Sequence, residues 1–130
     1  MSDGAEEDPS QEATGAEVQE RIEWIRKKYG RVPLVVEEMS KRPDLFLPYF
    51  EFSRVAVFEP KHLDRKTTEL AIVAAGSALA SEHCLAIHLD QARAAGASKD
   101  EIAEALLVGA YMSLTKSQSV ALRMLQQMKE

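Results

Sequence analysis

The stretch that decides the fold is residues 64–95, DRKTTELAIVAAGSALASEHCLAIHLDQARAA. It contains no proline and has helical character throughout, but 32 residues is long for one globular helix. We therefore predict a break near residues 80–82, between a helix over Asp64–Ala80 and a second from about Glu82 to Ala95. Small residues dominate positions 71–78, and small side chains let helices pack closely, so the first helix should be central.

The sequence after this stretch continues in helices. Gly96 is a typical residue just past a helix end. Ser98 and Glu101 have the spacing of a capping box, in which each side chain bonds the other residue's backbone N–H. The box predicts a helix over Ser98–Tyr111, and the apolar pattern beyond it predicts a last helix over about Thr115–Met128.

The sequence before it is also helical. From Ala16, apolar residues recur at spacings of four, three and four: Val18, Ile22, Ile25 and Tyr29. Prolines then bound a short helix over Pro33–Lys41, and an aromatic-rich segment predicts a buried helix over Asp44–Val57 with Asp44 as its N-cap. Since no strand pattern competes, we predict an all-α fold of six or seven helices, a bundle that forms oligomers.

Length and charge place the protein among single-domain proteins. The chain has 130 residues, and residues 1–15 are acidic and poor in apolar side chains. We predict an acidic, disordered or loosely docked arm over 1–15 and a single domain over 16–130. Seven of the 21 acidic residues lie in residues 1–20, which hold no Lys or Arg, so the other 14 face 16 basic residues. That balance, with few aromatics, gives no support to nucleic-acid binding.

The chain carries no signal that takes it to a membrane or out of the cell. Its longest uncharged run, residues 70–81, is too short to span a bilayer. The N-terminus is acidic and lacks the apolar core of a secretory signal. A lone cysteine excludes an intrachain disulfide. We expect a cytoplasmic protein without membrane partners.

The segment SEHCLAIH, residues 81–88, holds the candidate chemistry. Cys84 and His88 are four residues apart and share one helix face. Cys84 falls in the first turn, where the helix dipole favours a thiolate. The dipole stabilises an anion by about 0.3–1 kcal/mol, too little to ionise most of a thiol at neutral pH, so His88 is needed as imidazolium partner or general base. If the two helices form a hairpin, Glu69 can orient His88.

Each of these residues also has a purely structural interpretation. Cys84 can be a small buried hydrophobe and His88 a packed, hydrogen-bonded side chain. Glu69 can be a surface charge or the buried partner of an arginine. Ser81 can be only an N-cap that bonds a backbone N–H two or three residues on, and His83 points elsewhere, towards the surface. As a metal-ligand set these residues fit no strong spacing, and we expect neither metal nor cofactor.

Residues 64–110 resemble the carboxymuconolactone decarboxylase and alkylhydroperoxidase D family. The family pattern is a glutamate, about a dozen residues, Cys-x-x-Cys-x-x-x-His, a helix ending in Ala-Gly, and an acidic capped helix. This chain has Glu69, Ser81-x-x-Cys84-x-x-x-His88 and AAGASKDEI at residues 94–102. The chain departs from the pattern at the first cysteine, which is Ser81.

The alkylhydroperoxidase D branch implies a thiol peroxidase acting on a small hydroperoxide. By that resemblance Cys84 is the peroxide-reactive thiol, His88 and Glu69 form its proton relay, and His83 precedes the reactive cysteine. The resolving cysteine is Ser81 here, and a hydroxyl cannot form a disulfide with a sulfenic acid. The cycle would then need an external thiol reductant.

The decarboxylase branch implies a different reaction. It opens a lactone acid to an enol-lactone with loss of carbon dioxide, without the cysteine pair, and would leave His88 and Glu69 as an acid–base pair. A third possibility is a non-catalytic helical oligomer that serves as a binding or accessory subunit. For all three, the resemblance implies a homotrimer or homohexamer.

Overall fold

The computed structural model describes residues 9–130, and within them every regular element is helical. The helices are α1 Pro9–Tyr29, α2 Leu34–Ser40, α3 Pro43–Ser53, α4 Arg65–Ala78, α5 Glu82–Ala94 and α6 Lys99–Gln126, and a π-helical turn, Arg54–Phe58, follows α3. The all-α prediction is confirmed. No helix in this part of the chain is long and apolar enough to cross a bilayer.

The chain divides between residues 59 and 60 into two compact units. The first holds α1 to α3 and the π-helical turn, and the second holds α4 to α6. The prediction of one domain over 16–130 stays a prediction. Each unit has its own apolar core, and the candidate site residues all belong to the second.

In the first unit, α1 begins at Pro9, seven residues before the predicted start at Ala16. The predicted arm over 1–15 is therefore helical from residue 9, while residues 1–8 lie outside the described part. Residues 10–17 are exposed or half-buried, and Val18 is the first buried residue. Ala, Glu and Gln in this stretch favour helix without any burial, which apolar periodicity alone does not detect.

The core of the first unit forms where α1 meets α2 and α3. The predicted face of α1 is confirmed: Val18 and Ile25 are buried, and the other two members pack against them. Phe46 and Phe50 of α3 complete the core, and Trp24 meets Phe50 edge-on with ring centroids 5.5 Å apart.

The start of α3 corrects the predicted N-cap. Arg42 holds the N-cap position and Pro43 begins the helix, because proline suits a first turn that has no intrahelical N–H bonds to lose. Asp44 lies inside that turn and accepts a hydrogen bond from Arg42 Nε at 2.9 Å. This contact holds the pKa of Asp44 below its usual value. The helix gives way to the π-helical turn after Ser53, short of the predicted end at Val57.

In the second unit the predicted break before α5 and the predicted Ser98–Glu101 capping box are confirmed. The break falls over residues 79–81, where Ala80 has a φ of +50°. The Ser98–Glu101 capping box forms with both hydrogen bonds, at 2.7 and 3.0 Å. Lys66 of α4 also pairs with Glu101 and, with the Ser98 backbone, lowers the pKa of that carboxyl.

Helices α4 and α6 run parallel and in very close contact. Lys66 pairs with Glu101 near the start of both helices, and the Ser113 hydroxyl donates to the Ala78 carbonyl at the end of α4. Between these points Gly109 is buried against Ala74. A Cβ built on Gly109 would overlap the Ala74 carbonyl oxygen and lie 2.9 Å from its carbonyl carbon. Glycine is therefore required for this approach, and α4 is central as predicted.

The two helices predicted over Ser98–Tyr111 and Thr115–Met128 are a single helix, α6, of 28 residues. Residues 112–114 contain no Gly or Pro to interrupt it. Thr115 satisfies its hydroxyl within the helix by donating to the Met112 carbonyl. Because α4 ends opposite Ser113, the last 13 residues of α6 extend about 20 Å beyond it. Residues 116–130 are all exposed.

The contact at Gly109 predicts opposite effects for one substitution at two helical glycines. Gly109→Ala should lower the free energy of unfolding by about 1–3 kcal/mol, since the helices must separate to admit the methyl group. Gly15→Ala, with nothing within 4 Å of the added Cβ, should raise it by up to about 1 kcal/mol through helix propensity. Urea unfolding followed by circular dichroism measures both. A stabilising Gly109→Ala would contradict the close packing.

Candidate active site

The site is built around Glu69 of α4, whose side chain is completely buried. It lies beside Thr68, also buried, on the side of α4 that packs within the second unit. Burial of a carboxylate without partners costs several kcal/mol, so a buried Glu is expected to have ionic or hydrogen-bonded partners. The surface-charge interpretation of Glu69 is therefore wrong.

His88 of α5 is one of these partners. Its Nδ1 lies 2.7 Å from Glu69 Oε2, and its side chain is 12% exposed. An ionised carboxylate only accepts hydrogen bonds, so Nδ1–H donates to it. That assignment places the lone pair of a neutral imidazole on Nε2, the nitrogen able to take up a proton. The hairpin of α4 and α5 thus brings Glu69 and His88 together in the geometry expected of an orienting carboxylate and a base.

Arg65 is the second partner, and it was not singled out from the sequence. Its Nη2 forms an ion pair with Glu69 Oε1, and it also lies 3.5 Å from Gln91 Oε1 of α5. Arg65 and Glu69 are four residues apart on one helix, a spacing that places side chains together and that the sequence displays. Glu69 is therefore the buried partner of an arginine and at the same time lies within hydrogen-bond distance of His88.

Cys84 is exposed, so the buried-hydrophobe interpretation is wrong. It is the third residue of α5, one turn before His88 on the same helix. Backbone N–H groups of a first turn have no intrahelical partners and favour an anion. The structure therefore assembles the Glu69–His88 pair and leaves the thiol open to solvent beside it.

Ser81 and His83 frame the start of α5. Ser81 occupies the N-cap position with non-helical φ and ψ of −85° and 86°, but its hydroxyl caps no backbone N–H. The predicted side-chain cap is therefore wrong, although the predicted helix start is right. His83 is exposed, as predicted for its place beside Cys84. Across residues 9–130, no three His, Cys, Asp or Glu side chains converge to hold a metal ion.

The fold and the site together define an all-helical protein with a buried Glu–His pair and a neighbouring cysteine. The profile of the Carboxymuconolactone decarboxylase family matches residues 43–127, about two thirds of the chain. The chain belongs to this family, as the motif resemblance indicated. No curated protein matches the chain at a significant level, and neither does any solved structure.

Proposed function

We propose that the protein is a thiol oxidoreductase that reduces a small hydroperoxide with Cys84. The single observation that carries the proposal is the 2.7 Å contact of His88 Nδ1 with buried Glu69, one helical turn from an exposed cysteine. A cysteine with structural duties only would not need to be exposed at a helix N-terminus beside an oriented imidazole. Family membership supports the proposal at the coarser level.

The first half-reaction needs no group beyond this triad and the peroxide. His88 Nε2 takes the proton from the Cys84 thiol, and the thiolate sulfur attacks the terminal peroxide oxygen. The O–O bond breaks, an S–O bond forms, and the leaving alkoxide takes the proton from His88. Cys84 ends as a sulfenic acid and the peroxide as an alcohol, so sulfur is oxidised by two electrons and the peroxide is reduced by two.

The second half-reaction depends on an external thiol, since Ser81 stands where a resolving cysteine would be. One reductant thiol attacks the sulfenic sulfur and releases water, which leaves a mixed disulfide on Cys84. A second reductant thiol then attacks that disulfide and frees the Cys84 thiol. Small thiols are abundant in the reducing cytosol, where we propose that the protein acts.

A cofactor-free decarboxylase is the second candidate, favoured by one observation. The contact of Glu69 with His88 does not involve Cys84, so the pair can serve as an acid–base pair for a lactone acid. An oriented imidazole moves protons in lyase chemistry as well as in thiol activation. The role of Cys84 separates the two candidates.

Removal of each group in turn tests the proposal. Cys84→Ser should abolish hydroperoxide consumption and the signal of a sulfenic-acid trap, because the chain has no other cysteine. His88→Gln should slow both by about 10²-fold or more, the usual effect of losing a general base. His62→Gln, at an exposed histidine, is the matched control and should leave the rate unchanged. Full activity of Cys84→Ser towards a lactone acid, with no peroxide reaction in the parent protein, would favour the lyase.

Restoring the missing cysteine tests the register of Ser81 and Cys84. Because Ser81 is at the non-helical N-cap, Ser81→Cys should be able to reach Cys84 and form a disulfide after mild peroxide, with release of water from the sulfenic acid. Thiol titration should then find no free thiol in an unlinked chain, and turnover with a dithiol should rise. A variant that forms only interchain dimers would show that the two positions do not share one helix start.

We also propose that the protein self-associates through α6. Ten large apolar side chains between residues 107 and 128 are 50–71% exposed: Leu107, Val108, Tyr111, Met112, Leu114, Val120, Leu122, Met124, Leu125 and Met128. Covering them would remove about 400–700 Å² from water per copy, at about 60–120 Å² for each fully buried side chain. That area approaches the roughly 800 Å² per partner that a stable interface of standard size buries. The C-terminal half of α6 is also too short to be a stable helix alone in water.

Charge favours an antiparallel pairing of α6 with the same helix of a second copy. The N-terminal part of α6 carries Lys99, Asp100, Glu101 and Glu104, whereas Lys116 and Arg123 are the charged residues of its C-terminal half. Parallel pairing would place every one of these charges beside the same charge of the second copy, and antiparallel pairing avoids that register. Such pairing has two-fold symmetry, so of the two assemblies that the resemblance implies it favours a homohexamer over a homotrimer.

A charge placed on the apolar side of α6 should disrupt the assembly. Leu125→Lys should lower the mass measured by light scattering in solution, because the ammonium group would have to be buried at the contact. Gln127→Lys adds the same charge two residues on, about 160° away around the helix, and should leave the mass unchanged. A parent protein that is monomeric at 100 µM would rule out the proposal.

A further inference from the structure

A buried carboxylate shared between two partners sets the chemistry of this site. Glu69 Oε1 pairs with Arg65 and Oε2 with His88, and Glu69 has no exposed surface. We propose that Arg65 is a positioning residue: it keeps Glu69 ionised and thereby fixes the tautomer and protonation state of His88. The catalytic consequence of this inference rests on the proposed function, whereas its effect on His88 does not.

The need for Arg65 follows from burial. A fully buried carboxylate with only a neutral imidazole beside it would take up a proton itself or draw one onto the imidazole. Either outcome removes the base, because a protonated Glu69 no longer orients Nδ1–H and an imidazolium has no free lone pair. A guanidinium stays charged at every pH the protein meets, so Arg65 compensates the carboxylate without supplying a proton.

The placement of Arg65 suits this role. It is the first residue of α4, one turn before Glu69, and its side chain is 28% exposed. Its Nη2 also lies 3.5 Å from the side-chain oxygen of Gln91, three residues after His88 on α5. Arg65 thus contacts both helices that supply the Glu–His pair, and a shift of α5 relative to α4 would move Gln91 and His88 together.

Several other charged groups on or beside α4 have partners of their own. From α6, Glu101 pairs with Lys66, the neighbour of Arg65. On α5, Arg93 donates to the Ala97 carbonyl. Asp64 accepts from the Thr67 backbone, which lowers the pKa of its carboxyl. Glu69 itself forms ionic contacts with Arg65 and His88.

The charge of Arg65 determines the direction in which the His88 titration midpoint shifts when Arg65 is removed. Loss of Arg65 leaves the Glu69–His88 pair more negative by one unit, so the pair holds its proton to higher pH. In Arg65→Gln the titration midpoint of the His88 ring should rise by about one pH unit. The ring nitrogen shifts of ¹⁵N-labelled protein report this midpoint and the tautomer directly. In the pH profile of the peroxide-reduction rate, the acidic limb should shift to higher pH by the same amount.

The chain offers a matched control one residue away. Lys66→Gln removes an equal charge from the same helical turn but breaks only the pair with Glu101. It should leave the His88 midpoint unchanged, and Arg65→Lys should restore most of the parent value. Equal shifts in Arg65→Gln and Lys66→Gln, or no shift in either, would overturn the inference. Absence of peroxide reduction in the parent protein would count against the proposed function alone, since the nitrogen shifts are read without substrate.

A second measurement tests the inference if the Arg65→Gln variant does not fold. Removal of one partner of a buried ion pair is strongly destabilising because the other charge is left uncompensated. If Arg65→Gln is unfolded, Arg65→Gln combined with Glu69→Gln should recover a cooperative thermal transition, since both charges are then absent. A double variant that stays unfolded would show that Arg65 acts through packing, and would overturn the inference.

Discussion

The full burial of the Glu69 carboxylate is the constraint on which the second unit depends. A charge with no exposed surface needs partners at fixed positions, and Arg65 and His88 supply them from α4 and α5. The contacts that hold α5 in register with α4 are those of Glu69 with His88 and of Arg65 with Gln91. The same atoms therefore meet two requirements. They compensate a buried charge, which is structural, and they orient an imidazole, which is chemical.

The site has a buried part, the Glu–His pair, and an exposed part, the Cys84 thiol. The Glu–His pair lies inside the unit, where low dielectric strengthens its contacts. Cys84 lies at the first turn of α5 and is exposed. A thiol at the surface can meet both a peroxide and a reductant thiol, which a buried one cannot. The break at Ala80, with its positive φ, is what starts α5 just before the cysteine.

Close packing of α4 on α6 supports this arrangement from the other side. Gly109 admits the backbone of Ala74, and the hydroxyl of Ser77 donates to the Leu106 carbonyl at 2.8 Å. Small residues thus serve two purposes where α4 meets α6: Gly109 of α6 allows the close approach, and Ser77 of α4 donates a side-chain hydrogen bond to the backbone of α6. Beyond this contact α6 continues without a neighbour in its own unit, and its apolar side chains remain exposed.

Sequence alone was enough to predict the helical class, the break before α5, the capping box and the i, i+4 relation of Cys84 to His88. Local rules control these features: periodicity, cap geometry and turn residues. It also led to the family through Glu69 and residues 81–88. The predictions from sequence were wrong where local signals are weak. The start of α1 is one such place, and the continuity of α6, where no Gly or Pro marks a helix end, is another.

The packed helices were needed to learn which side chains are buried and which partners they contact. Sequence left Glu69 as a surface charge, an arginine's partner or an orienter of His88, and the structure buries it in contact with both Arg65 and His88. It left Cys84 as buried or reactive, and the structure exposes it. Burial depends on residues distant in sequence. Local periodicity therefore identifies a helix face but not what covers that face, which is a property of the assembled helices.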